Sequence, residues 1–458
     1  MDDKEYIADL IRKAKAAQQE FDEKFGQQEV DRIARGIAKV VFDGAEKWAR
    51  MAVDETGMGR YEDKVQKKRN KARLLWNSLR DKKSMGIISR NEETGIVEIA
   101  KPVGVVGAVQ PATNPIVTPM ANVISALKGK NAIIISPHPR AVHCTAEIVK
   151  EWRAVLKKCN APENLIQSVE DSTIERTAEL MRSVDVIVAT GGPGMVKAAY
   201  SSGKPSYGVG AGNIQCIVDR GVDLNEAAQK IVYSRVFDYG IICSGDQGLI
   251  VPTELYQDFL KALEAQKTYI VKDPQEKERL TAVLFPEGKS NTKMVGQPVT
   301  KIAQVAGISV PSDTVMLAVP VSNDDLKNPL RREKMFPVAI VLTYETFQQA
   351  LEIMKYNLSL EGKGHSVCIH SHDTEHIEKL GLAAPASRVI VNAPSTVSTG
   401  GNFYNGLAPT STLGCGTWGN NSISENLTYK HLLNITRIAY PLTNPKIPTD
   451  EELFGGEI

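Results

Sequence analysis

The 458-residue sequence lacks the features that mark secreted, membrane or metal-binding proteins. Its six cysteines form no C-x-x-C pair, which argues against a disulfide framework and against a zinc site. No apolar run approaches the roughly 20 residues that span a bilayer. A formal net charge of +1 gives no global reason to bind nucleic acid or an anionic membrane. These absences predict a cytoplasmic protein without metal, nucleic acid or membrane as a partner. The length of 458 residues is too great for one simple core and predicts two or three domains.

The N-terminus differs from a secretory signal, because its first five residues are acidic and polar. The apolar residues that follow have helical spacing and predict the first helix of a domain. A helix that targets the chain to a protein shell would show the same spacing. The lumen of a bacterial microcompartment is therefore the alternative location.

Short β-branched runs predict an α/β fold. The runs at 103–109, 132–135, 165–169 and 184–189 alternate with helical stretches, a pattern typical of a parallel sheet covered by helices. A second α/β unit begins near residue 217, with a helix capped by Asp223 and strands at 248–251, 338–342 and 389–391. Residues 86–100 predict a β-hairpin arm of the kind that pairs across a subunit interface. The tail at 441–458 is predicted to lie extended on a surface.

Cys243 differs from the other cysteines in its neighbours. Gly240 and Gly245 would let the backbone approach a ligand, and the amide of Cys243 itself could face an oxyanion. As a nucleophile it should lie in a partly exposed, electropositive place or at a helix end, because the thiolate is the reactive form. A buried structural cysteine is the alternative, and it is the prediction for Cys144, Cys159, Cys216, Cys368 and Cys415.

Asn114 lies between two prolines, just after the predicted strand that ends at residue 109. A turn asparagine is the structural interpretation. The functional interpretation is an amide donor for an oxyanion. Its place at the carboxyl edge of a parallel sheet, where ligands bind, supports that second role.

Glycine-rich segments and histidines give further candidates. Thr190, Gly191, Gly192 and Gly194 follow a predicted strand and open a helix, which predicts a phosphate site, with a tight turn as the alternative. The stretch 414–419 matches G-x-G-x-x-G, but no βαβ unit or acidic residue follows, so it predicts a glycine-rich surface loop. His365 lies beside glycines at the start of a predicted strand and is the one histidine with a candidate role.

Taken in order, these segments resemble the CoA-acylating aldehyde dehydrogenases, including the aldehyde dehydrogenase half of bifunctional alcohol/aldehyde dehydrogenases and microcompartment propionaldehyde dehydrogenases. The resemblance runs from about residue 4 to 439. It rests on Thr113-Asn114-Pro115, on Gly208-Val209-Gly210-Ala211-Gly212-Asn213, and on the segments 102–106, 131–140, 190–196 and 407–419.

The resemblance implies two Rossmann-like parallel-sheet domains and an arm for oligomerisation. Residues 1–216 would bind NAD(P) and carry the arm 86–100, residues 217–419 would form the catalytic domain, and residues 420–458 would serve oligomerisation in a homodimer or homotetramer. Cys243 would be the nucleophile, Asn114 the oxyanion donor and Glu333 the partner of the nicotinamide ribose. Further active-site or acyl-pocket candidates are His365, Thr113, Ser398 and Thr399. The implied cofactor-binding residues are Pro111, Ser136, Pro137, His138, Thr190, Gly191, Gly192, Gly194, Gly210, Glu333 and Phe336.

Gly208 departs from the wider superfamily, whose hydrolytic members carry a glutamate base at this position. Its absence predicts that coenzyme A, not water, takes the acyl group. Ser136 stands where many members carry a lysine, and Pro139 where NAD-selective members carry an acidic residue. The sequence therefore does not distinguish NAD from NADP as the cofactor. The predicted substrates are short aldehydes: acetaldehyde, propionaldehyde or, through the polar loop 395–402, sulfoacetaldehyde. A hydrolytic dehydrogenase and an inactive microcompartment scaffold are the alternatives.

Overall fold

The computed structural model describes residues 2–455. Its helices are α1 Asp3–Lys24, α2 Gln27–Asp43, α3 Ala45–Thr56, α4 Tyr61–Leu79, α5 Val117–Lys128, α6 Val142–Lys158, α7 Ile174–Ser183, α8 Pro193–Tyr200, α9 Leu224–Val236, α10 Tyr256–Ala265, α11 Pro274–Leu284, α12 Val299–Val305, α13 Phe347–Leu360, α14 Thr374–Ala383, α15 Ser395–Ser398 and α16 Asp450–Phe454. Its strands are β1 Gly86–Asn91, β2 Ile96–Pro102, β3 Val105–Val109, β4 Ala132–Ser136, β5 Ile166–Ser168, β6 Val186–Ala189, β7 Ser206–Gly208, β8 Ile214–Val218, β9 Asp246–Pro252, β10 Thr268–Ile270, β11 Met316–Pro320, β12 Val338–Tyr344, β13 Val367–His370, β14 Val389–Val391 and β15 Leu433–Ala439.

The first parallel sheet has five strands in the order β5-β4-β3-β6-β7. Every residue of β3, β4 and β6 is buried, since helices cover both faces of the sheet. The predicted runs at 103–109, 132–135, 165–169 and 184–189 all fall on these strands. The predicted fold class, α/β with parallel sheets, is therefore confirmed.

The second parallel sheet has seven strands in the order β10-β11-β12-β9-β8-β13-β14. Successive side chains point to opposite faces, so that Cys216 and Val218 enter one apolar core while Ile217 enters another. Asp223 caps α9 as predicted, accepting from the amides of residues 225 and 226. Strands β10 and β11 were not predicted, whereas β13 is the strand expected to start at His365. The change of sheet falls between residues 208 and 214, slightly before the predicted boundary at 216.

A third, antiparallel sheet has the order β1-β2-β15. Strands β1 and β2 are the predicted hairpin, and the C-terminal β15 adds to its inner strand. Leu427, Tyr429 and Leu432 pack into the core of the first unit. Part of the segment 420–458 thus completes a core, which the sequence analysis did not foresee. The tail from 441 is exposed as predicted, although α16 interrupts its extended course; residues 456–458 lie outside the described residues.

Helix α1 buries its apolar face. Ile7, Ile11, Ala14, Ala17 and Phe21 all contribute to the core of the first unit. This is the predicted first helix of a domain, and its apolar face is not free to bind a protein shell. Within the described residues, no helix is both long and apolar enough to cross a bilayer.

Candidate active site

A cavity of about 910 Å³ opens where the carboxyl ends of β3, β4 and β6 face the second unit. Parallel sheets bind ligands at this edge. The cavity brings together most of the residues that the sequence singled out. Those on its wall are Pro111, Thr113, Asn114, Ser136, Pro137, His138, Thr190, Gly191, Gly192, Gly210, Cys243, Glu333 and Thr399.

Cys243 lies in the loop between α9 and β9. Arg235 of α9 is fully buried and donates to the carbonyl oxygens of Gly240 and Gly245, which holds both ends of this loop. A Cβ at Gly212 would overlap the carbonyl oxygen of Cys243. The loop 208–213 can therefore approach the cysteine only with glycine at that position.

His365 is the nearest basic side chain to the thiol. Its Nε2 lies 3.3 Å from the Sγ of Cys243, and its Nδ1 lies 3.2 Å from the Oγ of Ser366. Arg388 donates to the same Ser366 hydroxyl at 3.1 Å and to the His365 carbonyl at 2.8 Å. Ser366 and Arg388 thus hold the imidazole on the side away from Cys243. His365 is fully buried. It lies two residues before the start of β13, close to the predicted position at the start of a strand.

The thiol and the imidazole are both neutral in this site. Burial raises the pKa of Cys243 to about 12, with the Glu333 carboxyl adding to the effect. Burial lowers the pKa of His365 to about 3, with Arg388 adding to the effect. The expected stabilisation of a thiolate is therefore not seen at Cys243, although cationic side chains line the cavity. The cysteine is half-buried, and desolvation outweighs the nearby cations.

Asn114 is held by a cation that the sequence analysis missed. Its Oδ1 accepts from the Nζ of Lys67, which also binds the buried carboxylate of Asp238. Its Nδ2 lies 3.5 Å from the Oγ of Thr113, at the limit of a hydrogen bond. Asn114 therefore lines the cavity with one end of its amide already occupied.

Helix α4 presents lysines where an apolar stripe would be expected. Lys64 and Lys68 are buried, and Lys67 and Lys71 line the cavity. The Nζ of Lys71 donates to the carbonyl oxygens of Gly400 and Thr410 at 2.7 and 3.0 Å. Burial lowers the pKa of Lys71 to about 8, with Lys67 adding to the effect.

Glu333 binds the glycine loop 208–213 at the cavity. Its Oε1 accepts from the amide of Gly212 at 2.8 Å. Burial raises the pKa of this carboxyl to about 8, with Glu361 adding to the effect. Near neutral pH the Glu333 side chain can therefore bind a ligand either as the protonated acid or as the carboxylate.

Four predicted site residues do not line the cavity. His365 contacts the Cys243 thiol instead, and the other three point elsewhere. Glu333 and Met335 line it, so Phe336 points the other way in this extended segment and packs 6.2 Å from the ring of Phe285 in the core. Gly194 lies inside α8, beyond the turn that borders the cavity. Ser398 faces away on α15, where its Oγ accepts from Asn402. The cavity lining therefore does not support the predicted contacts of these three residues with cofactor or substrate.

The glycine-rich stretch 414–419 is not a surface loop throughout, as the sequence predicted. Gly414 and Cys415 are buried, and Cys415 packs with Val209 and Leu413. The amide of Gly210 lies 3.3 Å from the Cys415 thiol. The segment therefore supports the glycine loop beneath the cavity.

Position 208 leaves no room for the glutamate of hydrolytic relatives. A Cβ there would lie 2.7 Å from a methyl group of Val196 and 2.9 Å from the ring of Tyr200. The amide of Gly208 also donates to the Tyr200 hydroxyl at 2.8 Å, which holds this ring against position 208. The missing base is thus excluded by packing as well as by sequence.

One group of possible metal ligands lies away from the cavity. Cys216, Cys368 and His370 bring their ligand atoms within 4.8 Å of one another on β8 and β13. Sequence spacing hid this group, because Cys216 and Cys368 meet only through strand pairing. None of the three lines the cavity, and both cysteines lie in an apolar core.

A cavity for a dinucleotide that ends at a cysteine beside a histidine is the layout of an aldehyde-oxidising dehydrogenase. The chain matches the model of the aldehyde dehydrogenase family over residues 1–432, and it belongs to that family.

Relatives of known activity narrow the class. The chain is 48% identical over 449 residues to a succinate-semialdehyde dehydrogenase (acetylating) from Clostridium kluyveri, covering 98% of this chain and 99% of the relative. It is 41% identical over 456 residues to a sulfoacetaldehyde dehydrogenase from Acholeplasma sp, covering 98% and 93%. An acetylating aldehyde dehydrogenase from Geobacillus thermoglucosidasius superposes with a TM-score of 0.92 at 38% identity, covering 98% of both chains. The predicted class, a CoA-acylating aldehyde dehydrogenase that uses NAD(P), is confirmed.

Proposed function

We propose that the chain converts a short aldehyde with an anionic end, coenzyme A and NAD(P)+ into acyl-CoA and NAD(P)H, with Cys243 as the nucleophile. The observation that carries this assignment is the 3.3 Å contact between the Cys243 thiol and His365 at the cavity. A thiol beside a neutral imidazole can attack a carbonyl, because the ring takes the proton as the new bond forms.

The first step joins Cys243 to the aldehyde carbon. The carbonyl electron pair moves to oxygen, and the thiol proton moves to Nε2 of His365. Because the free thiolate is unfavourable at this pKa, bond formation and proton transfer occur together. Before this step Nε2 holds the lone pair that accepts the proton, and Nδ1 donates to Ser366. Asn114 donates through Nδ2 to the oxygen that gains the charge.

The carboxyl edge of the five-stranded sheet fits a dinucleotide. Thr190, Gly191 and Gly192 lead into the N-terminus of α8, which suits a phosphate group. The Glu333 carboxyl lines the same cavity and can accept from a ribose hydroxyl. A bound nicotinamide dinucleotide supplies the hydride acceptor. Loss of that hydride from the carbon bound to Cys243 leaves a thioester.

The acyl group then moves to the thiol of coenzyme A. The new carbon–sulfur bond forms as the bond to Cys243 breaks. His365 returns its proton to the cysteine, and the proton of the coenzyme A thiol is released to solvent. Water competes poorly, because position 208 holds no base. Among the described residues Glu333 carries the only carboxyl group on the cavity wall, and Gly212 already donates to it.

The charge of the cavity supports an anionic aldehyde. Lys67, Lys71, Arg73 and Arg140 line it, against the single carboxyl group of Glu333. Lys71 uses two of its three N–H groups on backbone carbonyls, which leaves one for a ligand. The two relatives named above act on succinate semialdehyde and sulfoacetaldehyde, which end in a carboxylate and a sulfonate. Acetaldehyde and propionaldehyde would be weaker substrates.

A panel of aldehydes tests this proposal. We expect kcat/KM for succinate semialdehyde or sulfoacetaldehyde to exceed that for propionaldehyde at least tenfold, the size of about one charge-assisted hydrogen bond. The Lys71→Met variant should lose this preference while keeping its activity toward propionaldehyde. Equal kcat/KM values for charged and uncharged aldehydes in the unmodified enzyme would contradict the anionic substrate.

We also propose that the chain forms a homodimer or homotetramer through the β1-β2-β15 sheet in a reducing compartment. Most residues of β1 and β15 are exposed, which leaves this sheet free to pair with another copy. A thiol nucleophile has to stay reduced to act. Sedimentation of the full chain, compared with a variant that lacks residues 433–455, tests the sheet as the interface.

A further inference from the structure

Asp238 is a buried carboxylate that the reaction does not use. It adopts the left-handed conformation, with φ of 55°, in a turn that leads to Cys243. Its amide donates to Asp63 at 2.8 Å, and its Oδ1 accepts from the amide of Arg60 at 3.0 Å. Packing thus fixes this carboxylate in one place, although the conformation is unfavourable for a residue with a side chain.

Two lysines of α4 share the second oxygen of Asp238. Lys64 lies 3.1 Å from Oδ2, and Lys67 binds the same atom. Burial alone would raise the pKa of this carboxyl, but the two lysines outweigh burial and lower it. The group is therefore a carboxylate at neutral pH, and it holds the ammonium of Lys67 beside the cavity.

The ammonium of Lys67 determines which way the amide of Asn114 points. An ammonium has donors only, so its neighbour on Asn114 has to be Oδ1. Rotating the amide by half a turn would place the NH2 group against the ammonium, two donors facing each other. The amide is therefore locked with Nδ2 on the side away from Lys67, where its contact with Thr113 is long.

We propose that Lys67, held by Asp238, is a positioning residue that fixes and polarises the amide of Asn114 for the oxyanion; this inference rests on the proposed role of Asn114. A charged donor on Oδ1 draws electron density from the amide and makes the N–H groups of Nδ2 stronger donors. Lys67 thus acts on the reaction through Asn114, without touching the carbonyl oxygen itself.

A double-mutant cycle separates this role from a structural one. Asn114→Ala should lower kcat about 100- to 1,000-fold. Lys67→Met should lower kcat about 10- to 100-fold, in the range of coupling between contacting residues, with little change in KM. In the Asn114→Ala background, Lys67→Met should have no further effect, because the group it positions is gone. Multiplicative losses in the double variant would overturn the proposal.

Lys64→Met is the matched control. It removes the other lysine from Asp238 but none of the contacts of Asn114. We expect a smaller loss of kcat than for Lys67→Met, and an equal loss would assign the effect to the Asp238 network. If Lys67→Met does not fold, Lys67→Gln enters the same cycle, since glutamine keeps an N–H donor on a side chain one atom shorter, without the charge. An Asn114→Ala variant with full activity would instead refute the proposed role of Asn114.

Discussion

The thiol of Cys243 lies 3.3 Å from Nε2 of His365, although 121 residues separate the two in the chain. The contact forms because β8 pairs with both β9 and β13, so that the loop before β9 and the segment before β13 meet at one end of the sheet. Arg235 holds the first of these and Arg388 holds the second. The pair is thus a product of sheet topology and of two buried arginines.

The nucleophile can be tested against a neighbouring cysteine. Cys243→Ala should abolish acyl-CoA formation while leaving the fold and cofactor binding intact. Cys415→Ala is the control, because Cys415 packs in the same apolar cluster as Cys243. We expect it to keep most of its activity. Substantial turnover by Cys243→Ala, together with its loss in Cys415→Ala, would show that the nucleophile is misassigned.

The high pKa of Cys243 predicts slow alkylation of the free enzyme. Below a pKa of about 12, the thiolate fraction rises tenfold for each pH unit. Modification of Cys243 by iodoacetamide should therefore keep accelerating from pH 7 to pH 10 without a plateau. Peptide mass mapping against the Cys243→Ala variant identifies the site. A plateau near neutral pH would mean that the site holds a stable thiolate.

The lowered pKa of Lys71 predicts a pH-dependent preference among aldehydes. Below about pH 8 the side chain is an ammonium and can bind an anion, and above that value it loses its charge. The ratio of kcat/KM for succinate semialdehyde to that for propionaldehyde should therefore fall between pH 7 and pH 9. Taking the ratio cancels the ionisation of the thiol, which both substrates share. In Lys71→Met the ratio should not change with pH, and a constant ratio in the unmodified enzyme would exclude Lys71 as the anion site.

The sequence identified those site residues whose role depends on the residues next to them in the chain. Cys243 was singled out by its neighbouring glycines, and Asn114, which follows a buried strand, was placed at the carboxyl edge of the first parallel sheet. Phe336 was not placed correctly, because an alternation of one residue decides whether a side chain enters the cavity or the core. Strand β15 was not predicted, because it pairs with a hairpin more than 330 residues earlier in the chain.

The cationic wall was missed for a different reason. Lys64, Lys67, Lys68 and Lys71 have the spacing of one helix face, which in sequence alone is typical of a solvated surface. Only the packing of α4 against Asp238 and the carbonyls of Gly400 and Thr410 shows that this face is buried. A lysine stripe at positions where apolar residues are expected was the available signal.

The progress curve without coenzyme A tests the central claim most directly. With aldehyde and NAD(P)+ alone, the enzyme should release at most one equivalent of NAD(P)H per active site and then stop at the Cys243 thioester, because position 208 holds no glutamate to activate water. Adding coenzyme A should restart turnover, and mass spectrometry of the stalled enzyme should show the acyl group on Cys243. Continued NAD(P)H production with release of free acid in the absence of coenzyme A would contradict the acylating mechanism.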